Sequence, residues 1–79
     1  MARKNIPPDH LPTLTAIGDK LKSLREAKGQ TLHTVAGKLG MSRNVIAQME
    51  KGQVYFQLSK LLTLLDHYNQ DHLDFFRDL

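Results

Sequence analysis

The apolar residues of this chain recur at steps of three and four, and glycines divide them into short runs. The first run is Leu14, Ile17, Leu21 and Leu24. Gly29, Gly40 and Gly52 then stand where successive runs end. Steps of three and four place side chains on one face of an α-helix, and glycine commonly caps the end of a helix. No stretch has the two-residue alternation of a strand, so the sequence predicts an all-α fold.

Capping residues indicate where the helices begin. The helices are expected at about 14–28, 31–39 and 42–51, then from residue 58 and after residue 71. Thr31 and Ser42 precede the apolar residues of the second and third helices. A hydroxyl oxygen at such a place can accept a hydrogen bond from an unpaired backbone N–H. Because a short turn containing glycine joins these two helices, they have the pattern of a helix-turn-helix.

The first twelve residues have no helical period. Residues 1–12 contain all three prolines of the chain, and proline has no N–H to donate to a regular element. This segment is expected to be a flexible arm or a leading turn, and residues 13–79 to form one domain. Arg3 and Lys4 suit either a contact with a polyanion or an ordinary chain terminus.

The size of the chain allows one domain with a small core. A domain of 79 residues buries only around 60% of the surface that its unfolded chain exposes, so oligomerisation is expected to stabilise it. The absence of cysteine excludes disulfides and thiolate zinc sites and fits a reducing cytoplasm. There is no apolar run of about 20 residues and no segment resembling a signal peptide. We therefore expect a cytoplasmic protein without a membrane contact.

Charge is divided unevenly along the chain. Residues 1–52 hold nine Lys or Arg against four Asp or Glu, and residues 53–79 hold two against four. A basic first part suits nucleic acid, and a mildly acidic, apolar second part suits a protein contact. Such an imbalance also occurs by chance in small domains.

No group of residues has the spacing of a catalytic or metal site. His67 and His72 are five positions apart, and no third ligand stands at helical spacing from them. Ser, His and Asp side chains are scattered, and so small a helical domain offers no large pocket. No enzymatic activity, cofactor or metal is expected.

Residues 32–51, LHTVAGKLGMSRNVIAQMEK, resemble the helix-turn-helix of the Cro and phage-repressor (XRE-like) family of DNA-binding regulators. Ala36, Gly40 and Ile46 match the most constrained places of that motif. A small residue lets two helices approach closely, and glycine adopts a left-handed turn without a steric penalty. The resemblance extends over residues 17–76 and implies a five-helix, lambda-repressor-like domain that binds double-stranded DNA.

The resemblance also implies roles for the outer face of the third helix, which would lie in the major groove. The base-reading residues that it implies are Arg43, Asn44, Ala47 and Gln48. The phosphate or positioning contacts that we expect are Thr31, His33, Thr34, Lys38, Ser42 and Lys51. An ordinary solvated helix face is the alternative.

A further match to the family lies in Arg25 and Glu50. The family commonly pairs an arginine late in the first helix with a glutamate at the end of the third. Here the pair either fixes the angle of the third helix or is a plain surface ion pair that contributes little.

Several positions depart from the family pattern. Leu32 replaces the usual glutamine at the start of the second helix, so the usual backbone contact from that amide is not expected. Val45 replaces a small polar residue and either meets thymine methyl groups or packs at the edge of the core. Val54, Tyr55 and Phe56 follow the third helix where basic residues are usual, and they either pack under the fourth helix or contact a protein partner.

In many members of the family two copies meet through the last two helices, which spaces the recognition helices about one DNA turn, ~34 Å, apart. The interface residues expected within 58–79 are Leu61, Leu64, Leu65, Tyr68, Phe75 and Phe76, with packing in the core as the alternative for each of them. The sequence thus predicts a homodimeric transcriptional regulator, most simply a repressor, on a partly palindromic operator. The alternative is a protein-interaction module or an antitoxin-type partner-binding protein that keeps the helix-turn-helix fold.

Overall fold

The computed structural model describes residues 6–77 and 79, and this part of the chain contains five α-helices and no strand. The helices are α1 (Leu11–Ala27), α2 (Leu32–Leu39), α3 (Arg43–Lys51), α4 (Leu58–His67) and α5 (His72–Arg77). The predicted all-α class is confirmed, and the boundaries of α2 and α3 lie within one residue of the predicted ones.

Hydroxyl caps and a left-handed glycine shape the helix-turn-helix. Thr31 Oγ1 accepts a hydrogen bond of 3.1 Å from the Thr34 N–H, and Ser42 Oγ accepts one of 3.4 Å from the Val45 N–H. Gly40 follows α2 with φ of +64°. Because a residue with a side chain rarely adopts this conformation, glycine turns the chain into α3 with no Cβ penalty.

The start of α1 differs from the prediction. A 3-10 turn at Pro8–His10 leads directly into α1, which begins at residue 11 rather than 14. Pro12 lies in the first turn of α1, where a helix needs no N–H donor, so the proline favours this start. Ile6 is buried. The described part of the expected arm is therefore held to the domain at Ile6 and by the contact of His10 with Tyr55, although residues 7–12 are exposed.

The core gathers apolar side chains from all five helices. Those with 3% exposure or less are Leu21, Val35, Ile46, Met49, Leu61, Leu64, Leu65, Tyr68 and Phe75. Burial of this apolar surface is the main favourable term that holds the short helices together, because helices of eight to ten residues are marginal alone.

This core corrects the predicted subunit interface. Five of the six residues expected there, Leu61, Leu64, Leu65, Tyr68 and Phe75, are buried within one subunit. Their leucine-rich pattern reflects helices enclosed on more than one side and leaves little of these side chains for a second copy. Phe76 alone among the six is exposed, at 37%.

α1 and α3 make the most extensive helix–helix contact in the described part of the chain. A Cβ on Gly18 would lie 2.6 Å from the carbonyl oxygen of Met49 and closer still to that of Glu50. A Cβ on Gly52 would lie 2.5 Å from the Cα of Thr15. Such distances are far inside van der Waals contact. Glycine at both places therefore lets the end of α3 rest directly on the backbone of α1.

Candidate functional site

The two sides of α3 differ sharply in exposure. Ile46 and Met49 are buried, whereas Arg43, Asn44 and Lys51 are exposed. At roughly 100° per residue, Asn44 and Lys51 lie opposite the buried pair. The helix therefore presents an amide and cationic groups to the surroundings, as the sequence predicts for its outer face.

The two other predicted base readers are less accessible. Ala47 and Gln48 are half-buried. The Oε1 atom of Gln48 is buried and has no hydrogen-bond partner among the described residues. An amide whose acceptor is covered cannot offer both a donor and an acceptor to one base without moving. Asn44 is thus the better placed of the two amides.

A groove of about 380 Å³ lies beside this outer face, between α3 and the segment that follows it. We call it the α3–loop groove. Its lining residues are Asn44, Val45, Gln48, Met49, Val54, Tyr55, Phe56, Gln57 and Lys60. Lys60 was not predicted as a site residue. The signal for it is a lysine in the first turn of α4, a turn that carries no acidic residue.

The residues of the segment after α3 differ in whether they pack against the core or remain exposed. Phe56 is half-buried and packs against the core, whereas Tyr55 is 54% exposed. The Tyr55 hydroxyl shares a hydrogen bond with His10 Nδ1 in the 3-10 turn. The segment is therefore anchored from both sides, and Val54 and Tyr55 still border the groove.

The beginnings of α2 and α3 carry the predicted hydroxyl groups. Thr31 donates to Thr34 Oγ1 at 3.0 Å, which leaves the Thr34 hydroxyl proton for another acceptor. Neither helix has an acidic residue in its first turn, so nothing there repels an anion. His33, Lys38 and Ser42 are exposed. Arg3 and Lys4, for which the sequence leaves open a polyanion contact or an ordinary chain terminus, lie outside the described residues.

The predicted pair of Arg25 and Glu50 is present and partly enclosed. Arg25 Nε donates to Glu50 Oε2 at 2.8 Å, and Nη2 donates to Oε1 at 3.1 Å. The side chains are only 12% and 7% exposed, so this is not a plain surface pair. The hydrogen bond to Glu50 raises the pKa of Arg25. A two-bond fork fixes direction as well as distance, and so it holds the end of α3 on α1.

The same arginine reaches further into the molecule. Its Nη1 donates to the Gln30 carbonyl oxygen at 2.9 Å, and His67 Nε2 lies 2.8 Å from Gln30 Oε1. A polar chain therefore connects the end of α3 with α4. Sequence reasoning missed Gln30 and His67, because they are 37 positions apart and neither belongs to a recognisable motif.

Comparison with known proteins agrees with this geometry. The family model described as a helix-turn-helix domain matches residues 16–74, about three quarters of the chain. The chain belongs to the helix-turn-helix family. Searches of curated proteins and of solved structures find no significant match.

Membership of the helix-turn-helix family supports a DNA-binding regulator. Within residues 6–77 and 79, no helix is long and apolar enough to cross a membrane. In the same part of the chain, no three His, Asp or Glu side chains come together as metal ligands.

Tyr68 lies in the core of this helix-turn-helix domain, close enough to Arg25 and Glu50 to be influenced by their charges. It is 3% exposed, and its hydroxyl has no partner among the described residues. Burial, with a smaller contribution from the charge of Glu50, raises the pKa of Tyr68 to about 12. The neutral phenol is therefore the form that the folded state keeps.

This pKa predicts a loss of stability in alkali. The unfolded chain releases the Tyr68 proton near pH 10, while the folded protein keeps it to about pH 12. Between these values the free energy of unfolding should fall by roughly 1.4 kcal/mol per pH unit because of this group. Urea unfolding of wild type and Tyr68→Phe at several pH values measures the difference. If the free energy of unfolding of the two proteins falls equally with pH, the raised pKa of Tyr68 is contradicted.

Proposed function

We propose that this protein is a sequence-specific transcriptional regulator, most simply a repressor, that binds double-stranded DNA as a homodimer on a partly palindromic operator. The observation that carries the proposal is the two-sided nature of α3. Ile46 and Met49 anchor the helix in the core, and Arg43, Asn44 and Lys51 stand outside. A helix with an exposed amide and guanidinium suits the major groove, where each base pair offers a distinct set of donors and acceptors.

Base reading is assigned to the exposed side chains first. Arg43 can donate two hydrogen bonds to guanine O6 and N7, and Asn44 can pair with adenine N6 and N7. Ala47 leaves space for a base or touches a thymine methyl group. Gln48 reads a base only if its covered Oε1 turns outward, which makes it the weaker of the two amide readers.

Phosphate contacts need positive charge and donors without a sequence code. The residues proposed for them are Thr31, His33, Thr34, Lys38, Ser42 and Lys51. All six are exposed, which supports this role. Four of them lie around the starts of α2 and α3, where helix N-termini also present unpaired N–H groups to an anion, and Lys38 and Lys51 add positive charge in the last turns of these helices. Lys60 joins the set as a cation beside α3.

The dimer interface is assigned to α5 and to Leu79, which follows it, in place of the buried leucines of α4. Leu73, Phe76 and Leu79 follow one another at steps of three and are 73%, 37% and 45% exposed. Three neighbouring apolar side chains left in water favour a contact with another apolar surface. In a dimer with C2 symmetry, each copy would contribute these same three side chains to the interface. A palindromic operator requires that symmetry.

Substitutions on α3 separate base reading from phosphate binding. Asn44→Ala should weaken binding to the selected operator by about 1–3 kcal/mol and hardly affect random duplex. Lys51→Ala should weaken both by similar factors and reduce the slope of log affinity against log salt by about 1. Fluorescence anisotropy at about 50–200 mM salt measures these values. Binding that scarcely changes with salt would favour a protein-interaction module instead.

The oligomeric state tests the assignment of α5. Leu73→Asp should shift the protein from dimer to monomer, because it places a charge in the apolar contact. Leu58→Asp is the matched control, since Leu58 is also well exposed, at 58%, but lies on α4. Sedimentation equilibrium at tens of micromolar measures the mass. A monomeric wild type, or a Leu73→Asp protein that stays dimeric, would contradict this interface.

A further inference from the structure

The side chain of Val45 on α3 borders two different environments. It is half-buried, packs against the core on one side and lines the α3–loop groove on the other. The next residue, Ile46, is by contrast completely buried. Packing at the edge of the core thus accounts for only part of the Val45 surface, and the remainder faces the groove.

We propose that Val45 is a specificity-determining residue and that the α3–loop groove receives the C5-methyl group of a thymine in the operator. This inference rests on the proposed function, because it concerns the same DNA. An apolar side chain beside a thymine methyl group distinguishes thymine from every base that lacks that group.

The lining of the groove is mostly apolar with a few polar groups, and the edge of a thymine has the same combination. Val45 and Val54 supply apolar surface, and Asn44 contributes an amide to the same wall. A thymine presents both kinds of group at its major-groove edge, since its methyl carbon stands next to the O4 acceptor.

Charge supports the same occupant. Lys60 lines the groove, and the first turn of α4 contains no acidic residue. A nucleotide carries a phosphate together with its base, so a cation in the same groove complements it. The groove is also continuous with the exposed face of α3, because Asn44 belongs to both. A base read by Asn44 would therefore bring its neighbour close to Val45.

Replacing thymine by uracil removes only the methyl group and tests the proposal directly. The operator is first obtained by selecting bound duplexes from a random library with the full chain. Each thymine is then replaced by uracil in turn. Loss of one buried methyl group should lower the affinity of wild type about fourfold at one position in each half-site.

The matching protein variant is Val45→Ala, for which the same replacement should change affinity by less than about twofold. Lys38→Ala serves as the control, because an exposed cation should affect the thymine and uracil duplexes equally and leave their ratio near that of wild type. Circular dichroism at the binding temperature checks that both variants are folded. If Val45→Ala does not fold, the ratio of the wild-type affinities for the thymine and uracil duplexes still tests whether a thymine methyl group is bound.

The outcomes are distinguishable. A uracil effect that disappears in Val45→Ala supports the proposal. A uracil effect of equal size in Val45→Ala assigns the methyl contact to another residue and overturns it, as does the absence of any uracil effect in wild type. If wild type selects no sequence from the thymine library, the proposed function itself fails.

Discussion

The contact between α1 and the end of α3 is the constraint on which the rest of this structure depends. Gly18 has no side chain, so the carbonyl groups of Met49 and Glu50 rest against its backbone. Because these carbonyls close the last turn of α3, their position sets the direction of the whole helix. The Arg25–Glu50 fork then fixes rotation at the same end. Together they determine which side chains of α3 face outward.

The fork also connects the end of α3 with α4. Arg25 bonds the Gln30 carbonyl, and the Gln30 side chain meets His67 on α4. Tyr68, the next residue after His67, packs in the core. Its hydroxyl has no hydrogen-bond partner among the described residues. Because the members of this polar chain are partly buried, the loss of one leaves its partner unpaired with only limited access to water.

Local sequence signals predicted much of this fold, and long-range contacts account for the rest. Thr31, Ser42 and Gly40 act within three or four residues of themselves, so capping and turn chemistry could be read directly. Gly18 meets residues more than 30 positions away, and a glycine inside a helical run gives no sign of its partner. Leucine periodicity in α4 likewise predicts an apolar face. It cannot distinguish a side chain enclosed by the core, such as Leu64, from an exposed one, such as Leu58.

Urea unfolding of Gly18→Ala beside Gly37→Ala tests the central contact most directly. Both glycines lie inside helices, but a Cβ on Gly37 meets nothing within 4 Å. Alanine is the better helix former by about 1 kcal/mol, so Gly37→Ala should match or exceed the stability of wild type. For Gly18→Ala the free energy of unfolding should fall by about 1–3 kcal/mol despite the same gain in helix propensity, because the added methyl group must displace the backbone of α3. A Gly18→Ala protein as stable as wild type would contradict the account.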